Sequence, residues 1–188
     1  SPMLCEVITQ TDIDMVCLDA EHSPFDRMTL DQCIFALRAG GMPSVVRVPA
    51  LAAEHILNAL DCGATGIVAP HIITAEDAHL AAARSHFGQG RGFAGSTRAA
   101  GYTSKSMATH MKDSQSDTVV IAQIEDKEAL DHLDDIFATA GIDCFFIGRS
   151  DLTVSLGYDD PSHPDVVSAV EAICAKGKEA NVRLGTFT

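Results

Sequence analysis

Residues 119–156 constrain the fold of this chain more than any other stretch. Two short apolar runs, Val119–Ile124 and Cys144–Ile147, are rich in β-branched and aromatic residues and too short for buried helices. Such runs read as strands buried on both faces, which parallel sheets produce. Between them Leu130, Leu133, Ile136 and Phe137 recur at helical spacing, and Gly141 closes the segment. The stretch is therefore a βαβ unit. A carboxylate follows each strand, Glu125 after the first and Asp151 just past the second. Ligands of parallel α/β folds bind at the C-terminal ends of strands. Two acids on neighbouring strand ends suit a hard divalent cation. A carboxylate there can equally cap the next helix, and Asp126 is placed to do so at 127.

The same alternation extends along the chain. Strands are expected at Asp14–Asp19, Ser44–Val48, Gly66–Ala69 and Val182–Phe187, besides the two already named. A short helical pattern opens the sequence. Further helices are expected from a Thr29/Gln32 capping box to Arg38, over Glu54–Leu60, Thr74–His86 and Pro164–Ala180. Residues 88–116, rich in Gly, Ser and Thr, read as one long irregular excursion. Six strands separated by helices imply a parallel sheet, doubly wound or closed as a barrel. No GxGxxG follows any strand, which weakens the dinucleotide-binding choice. Polar residues follow nearly every strand instead: Asp19, Glu21 and His22, then Arg47, His71, Glu125 and Asp151. Active groups drawn from many strand ends are the habit of a (β/α)8 barrel. The expectation is one domain over 1–188, with a βα unit lacking at each end.

The 188 residues carry a net charge of −13, which argues against nucleic acid and anionic membranes as partners. No apolar run reaches membrane-spanning length. Six cysteines without a CxxC pair read as buried free thiols in a reducing cytoplasm. The five lysines avoid strands and strand ends, which disfavours an imine mechanism. Chemistry then falls to a metal, His22 and Arg47. A histidine beside two acids can shuttle protons, although Ser23-Pro24 also permits a plain surface turn. Arg47, inside SVVRVP, needs an anionic partner: a substrate, or Asp19 or Glu21.

Taken together, LDAEHSP, VVRVP, QIED and FFIGRSDLTVSLG resemble the HpcH/HpaI aldolase family, metal-dependent pyruvate aldolases of the phosphoenolpyruvate/pyruvate barrel superfamily. The resemblance implies a (β/α)8 barrel, with the six strands as its second to seventh. It implies Glu125 and Asp151 as ligands of Mg²⁺, Mn²⁺ or Co²⁺, His22 as acid–base group and Asp19 as the acid orienting it. By the same resemblance Arg47 contacts the pyruvyl group, Gln123 lies near the metal, and the backbone of Gly148, Arg149, Ser150 and Asp151 receives the substrate carboxylate. Asp61 matches an acid that reaches a neighbouring subunit's histidine, and members are commonly hexamers. Arg149 stands where many relatives have proline, which implies a more acidic or longer aldehyde. The implied reaction is reversible cleavage of a 4-hydroxy-2-oxo acid to pyruvate and an aldehyde. The alternatives are a citrate-lyase or malyl-CoA-lyase type of enzyme, for which no basic cluster for a CoA phosphate is evident, and a non-catalytic oligomeric barrel.

Overall fold

A computed structural model of the chain describes residues 1–187. The fold is α/β, with six strands among the described residues, and every strand pair described below is parallel. The chain divides into two compact units, residues 1–68 with 83–119, and residues 69–82 with 120 onward.

The first unit opens with helix α1 (Pro2–Ile8), followed by strand β1 (Val16–Asp19), helix α2 (Arg27–Ala39), strand β2 (Ser44–Arg47), helix α3 (Ala53–Asp61) and strand β3 (Gly66–Ala69). β1 pairs with β2 and β2 with β3, in chain order. The sheet side of the core is Leu18, Val45, Val46 and Ile67; α2 adds Leu30, Cys33, Ile34 and Leu37, and α3 adds Ile56, Ala59 and Leu60. Each Val, Leu or Ile side chain among them contributes about 1.5–3 kcal/mol when fully buried. The register sets Asp19 directly opposite Arg47. Residues in register on parallel strands face the same side, so the acid and the guanidinium meet at the strand ends.

The second unit contains most of helix α4 (Ala75–Ser85), strand β4 (Val119–Ile124), a 3₁₀ turn (Lys127–Asp131), helix α6 (Leu133–Phe137), strand β5 (Cys144–Ile147), helix α7 (Arg149–Ser155), helix α8 (Pro164–Glu179) and strand β6 (Leu184–Thr186); helix α5 (Met107–Asp117) belongs to the first unit. β4 pairs with β5 and β5 with β6. Ile124 stands opposite Ile147, which sets the next residues, Glu125 and Gly148, side by side.

The expected strands Gly66–Ala69, Val119–Ile124 and Cys144–Ile147 coincide with β3, β4 and β5. Other expectations are corrected. Helix α2 starts earlier than Thr29, because the Asp26 carboxylate accepts the Thr29 N–H at 2.7 Å and caps it. The excursion after residue 88 ends in α5, a helix whose buried residues are polar, His110 and Ser114. An apolar periodicity cannot mark such a helix. Helix α7 was not expected, since it is short and buries only Leu152 and Thr153. Of the six cysteines only Cys5 and Cys33 are buried; Cys17 and Cys174 are exposed, and all six are free thiols.

Gly66 is needed for a close approach. A Cβ there would collide with the backbone carbonyl of Val119, whose N–H donates to Thr65 O at 3.0 Å. Gly66→Ala is expected to lower stability by about 1–3 kcal/mol through overpacking, read from the midpoint of urea unfolding. An unchanged midpoint would contradict that approach.

Candidate active site

In the second unit the site grows from the end of β4. Glu125 is 1% exposed and Gln123 2% exposed. Gln123 lies in β4 and Glu125 one residue past its end, and the Gln123 amide donates to Glu125 Oε2. Glu125 Oε1 accepts the backbone N–H of His71 at 2.9 Å, with His71 Nδ1 3.5 Å away. His71 has a φ of +53°, a left-handed conformation that costs a non-glycine residue about 1 kcal/mol. Its Nδ1 also lies 2.9 Å from Asp126 Oδ2. A Cβ on Gly148 would stand 2.5 Å from Glu125 Oε2 and 3.1 Å from Gln123 Nε2, so only glycine leaves room for this carboxylate and amide.

Asp151 lies in the first turn of α7, three residues beyond Gly148, and is half-buried. The Gly148 N–H is already given to Ile124 O at 3.0 Å, so it is not free to receive a substrate carboxylate. Ser150 is exposed. Arg149 folds onto the Pro161 carbonyl, with Nε at 3.1 Å and Nη2 at 2.6 Å, which gives that guanidinium a backbone partner. Asp126 makes no side-chain cap to the turn that follows it.

Hard divalent cations take oxygen ligands, and Mg²⁺ in particular is held by one or two carboxylates with water and substrate completing the shell. The donors present fit that pattern. Glu125 is buried, and among the described residues it has no lysine or arginine as ion-pair partner. A buried carboxylate without a cation is costly. No group of three or more His, Cys, Asp or Glu is arranged to hold an ion among the described residues, so protein ligands alone do not complete a shell.

The first unit carries the other expected residues. Arg47 grips Asp19 through two parallel bonds, Nε to Oδ1 at 2.9 Å and Nη2 to Oδ2 at 2.6 Å, and its Nε lies 3.3 Å from Glu21 Oε2. Burial alone would raise the Asp19 carboxyl, but hydrogen bonds from Arg47 and from the His22 and Glu21 N–H groups hold it below its ordinary value. The same pairing with Asp19 raises Arg47. Asp19 thus holds the His22 backbone, through an N–H at 3.2 Å, and not its imidazole. The acid nearest the ring is Glu21, with Oε2 3.8 Å from His22 Nε2. The His22 side chain is 61% exposed.

Asp61 is paired with Arg91, Nη2 to Oδ1 at 2.9 Å. Arg91 is a buried residue that the sequence reading passed over. It also donates to Ser114 Oγ at 3.0 Å and lies over the Phe87 ring at 4.4 Å. Burial lowers its pKa, while Asp61 acts in the opposite direction. An arginine between two glycines, flanked by Phe87 and Phe93, was the available signal. His71 is one of several polar residues that follow strands, and nothing in its type discloses a left-handed backbone. No helix among the described residues is long and apolar enough to cross a membrane.

The chain and its fold have counterparts among known proteins. The family model described as HpcH/HpaI aldolase/citrate lyase matches residues 1–188. A hydroxypyruvate/pyruvate aldolase of Paraburkholderia phytofirmans is 34% identical over 100% of this chain and 75% of its own length. A 5-keto-4-deoxy-D-glucarate aldolase of Escherichia coli is 34% identical over 97% of this chain and 73% of its own. The crystal structure of an HpcH/HpaI aldolase/citrate lyase family protein from Burkholderia cenocepacia superposes with a TM-score of 0.92 at 36% identity, covering 100% of this chain and 76% of that one. With six parallel strands, a strand-end carboxylate and relatives that are aldolases, the chain is a carbon–carbon lyase and belongs to the HpcH/HpaI aldolase/citrate lyase family.

Proposed function

We propose that the protein is a class II aldolase that reversibly cleaves a 4-hydroxy-2-oxo acid to pyruvate and an aldehyde. The observation that carries this reading is Glu125, a carboxylate 1% exposed at a strand end, against which Gly148 opens the helix bearing Asp151. The relatives named as pyruvate and keto-deoxy-glucarate aldolases support the substrate class. Glu125 and Asp151 are the residues that would hold the cation, with Gln123 fixing the Glu125 carboxylate. A divalent cation held there supplies Lewis-acid stabilisation of the negative charge that develops on the substrate's keto oxygen.

Cleavage moves the C4 hydroxyl proton to a base, breaks the C3–C4 bond and leaves its electron pair as the enolate of pyruvate; C3 then takes up a proton. His22 is the base in this reading, with its backbone pinned by Asp19 and its ring nearest Glu21. Arg47 contributes a fixed positive charge to the developing oxyanion. Its bidentate hold by Asp19 and its contact with Glu21 keep the guanidinium plane in one orientation before substrate arrives. Arg149 is spent on Pro161, so in this reading the aldehyde is not selected by a free cation at that position.

Two tests follow from these roles. EDTA is expected to abolish pyruvate release, and Mg²⁺, Mn²⁺ or Co²⁺ to restore it; Glu125→Gln is expected to lose metal-dependent turnover. Full activity in chelator would refute the cation. The second test uses oxaloacetate decarboxylation, which forms the same enolate without removing a hydroxyl proton. His22→Ala is expected to lower aldol cleavage by about 10²–10⁴-fold while sparing most decarboxylation. Arg47→Ala is expected to lower both by about 10²–10³-fold, and Arg47→Lys not to restore them, since an ammonium lacks the planar fork. Initial rates of pyruvate formation measure all of these, and equal losses in both reactions for His22→Ala would assign that histidine to positioning instead.

A further inference from the structure

We propose that His71 is a positioning residue that sorts the two adjacent acids Glu125 and Asp126, turning Glu125 toward an oxygen-loving divalent cation and holding Asp126 aside. The proposal rests on the metal-dependent reading above. β4 ends at Ile124, so strand alternation no longer dictates where the two following side chains point. Both are carboxylates, and either could serve as a cation ligand. Yet one is 1% exposed and the other, at its side chain, 21%.

One residue contacts both. The His71 main chain donates to Glu125 Oε1 at 2.9 Å, and its ring nitrogen Nδ1 lies 2.9 Å from Asp126 Oδ2. An ionised carboxylate only accepts, so Nδ1 carries the proton in that bond. The next residue, Ile72, donates its N–H to Gln123 O at 3.1 Å, which anchors the turn against β4. Main chain and side chain of His71 can serve different acids because its φ is +53°. Extended or right-handed backbone at this position would change the angle between the His71 N–H and both its ring and the Ile72 N–H, so the bonds to Glu125, Asp126 and Gln123 could not all be kept. Histidine enters the left-handed region more readily than most residues, whereas a β-branched residue rarely does.

The arrangement also leaves Glu125 able to bind. Its two oxygens each accept one hydrogen bond, Oε1 from His71 and Oε2 from Gln123. A carboxylate has about four lone-pair sites, so one on each oxygen remains for a cation. Asp126, engaged by the imidazole, is the partner that keeps the ring in place.

The test is Mn²⁺ titration of the full chain followed by electron paramagnetic resonance, without substrate. His71→Asn, which accepts a left-handed backbone and keeps a polar side chain, is expected to stay within about threefold of the parent Kd, as is Asp126→Asn; His71→Gly, which keeps the backbone but no longer holds Asp126, is expected to fall between these and His71→Val, which is expected to weaken binding about 10–100-fold, the usual effect of losing an outer-shell partner. Cooperative thermal melting in EDTA checks that each variant is folded; should His71→Val not fold, His71→Ala takes its place in the comparison. Mn²⁺ bound equally tightly by the Val or Ala variant and the parent would overturn the proposal, and so would a glycine variant as weak as the valine one. Loss of Mn²⁺ in Asp126→Asn with retention in Glu125→Gln would show that the acids are sorted the other way. A parent protein that binds no Mn²⁺ would overturn the metal reading itself, an outcome distinct from each of these.

Discussion

The interaction on which the second unit depends is the cage around Glu125. A carboxylate taken out of water must be met by donors, and here a backbone N–H and an amide meet it. Each requirement of that cage propagates outward. The N–H, together with that of Ile72 on Gln123 O, demands a left-handed turn at His71; the amide demands Gln123 two residues earlier, within β4; the space demands a missing Cβ at Gly148. The β4–β5 register then follows, because only with Ile124 opposite Ile147 does the glycine arrive beside the acid. The helix that carries Asp151 begins at that point.

The first unit is organised by the equivalent constraint with the opposite outcome. There the strand-end acid finds a guanidinium, since the β1–β2 register sets Asp19 against Arg47. The two charges are held against each other, and Glu21 and His22 are folded around the pair by backbone donation to Asp19. Two strand-end carboxylates of similar sequence context therefore differ in kind. Asp19 is internally neutralised, whereas Glu125 is hydrogen-bonded but has no arginine or lysine partner among the described residues.

Much of this was legible in the residues. The apolar runs at β3, β4 and β5 show their own limits because a strand buried on both faces begins and ends where polarity changes. Glu125, Asp19 and Arg47 stood out because a charge beside such a run must be satisfied by something. What stayed hidden was conformational or was carried by polar side chains. The role of Arg47 as a partner of Asp19 was open until the register was known. Asp19, expected to orient the His22 ring, holds the His22 backbone instead. His71 acts through its main chain, which a one-letter code does not display. Arg91 and α5 escaped because their burial is polar, and a pattern of hydrophobic spacing has no term for a buried guanidinium resting on a serine.

That polar helix has a thermal consequence. α5 is attached through Ser114 to Arg91, through His110 among Phe87 and Phe93, and through Asp113 to Lys105 at 2.6 Å. The sheet core is held by apolar burial, which weakens on cooling. Exposed ion pairs weaken instead with ionic strength. Cold and salt therefore loosen different parts of the first unit: low temperature acts on the aliphatic layer between strands and helices, and concentrated electrolyte on the Lys105–Asp113 pair, while the buried Arg91–Ser114 bond is shielded from it.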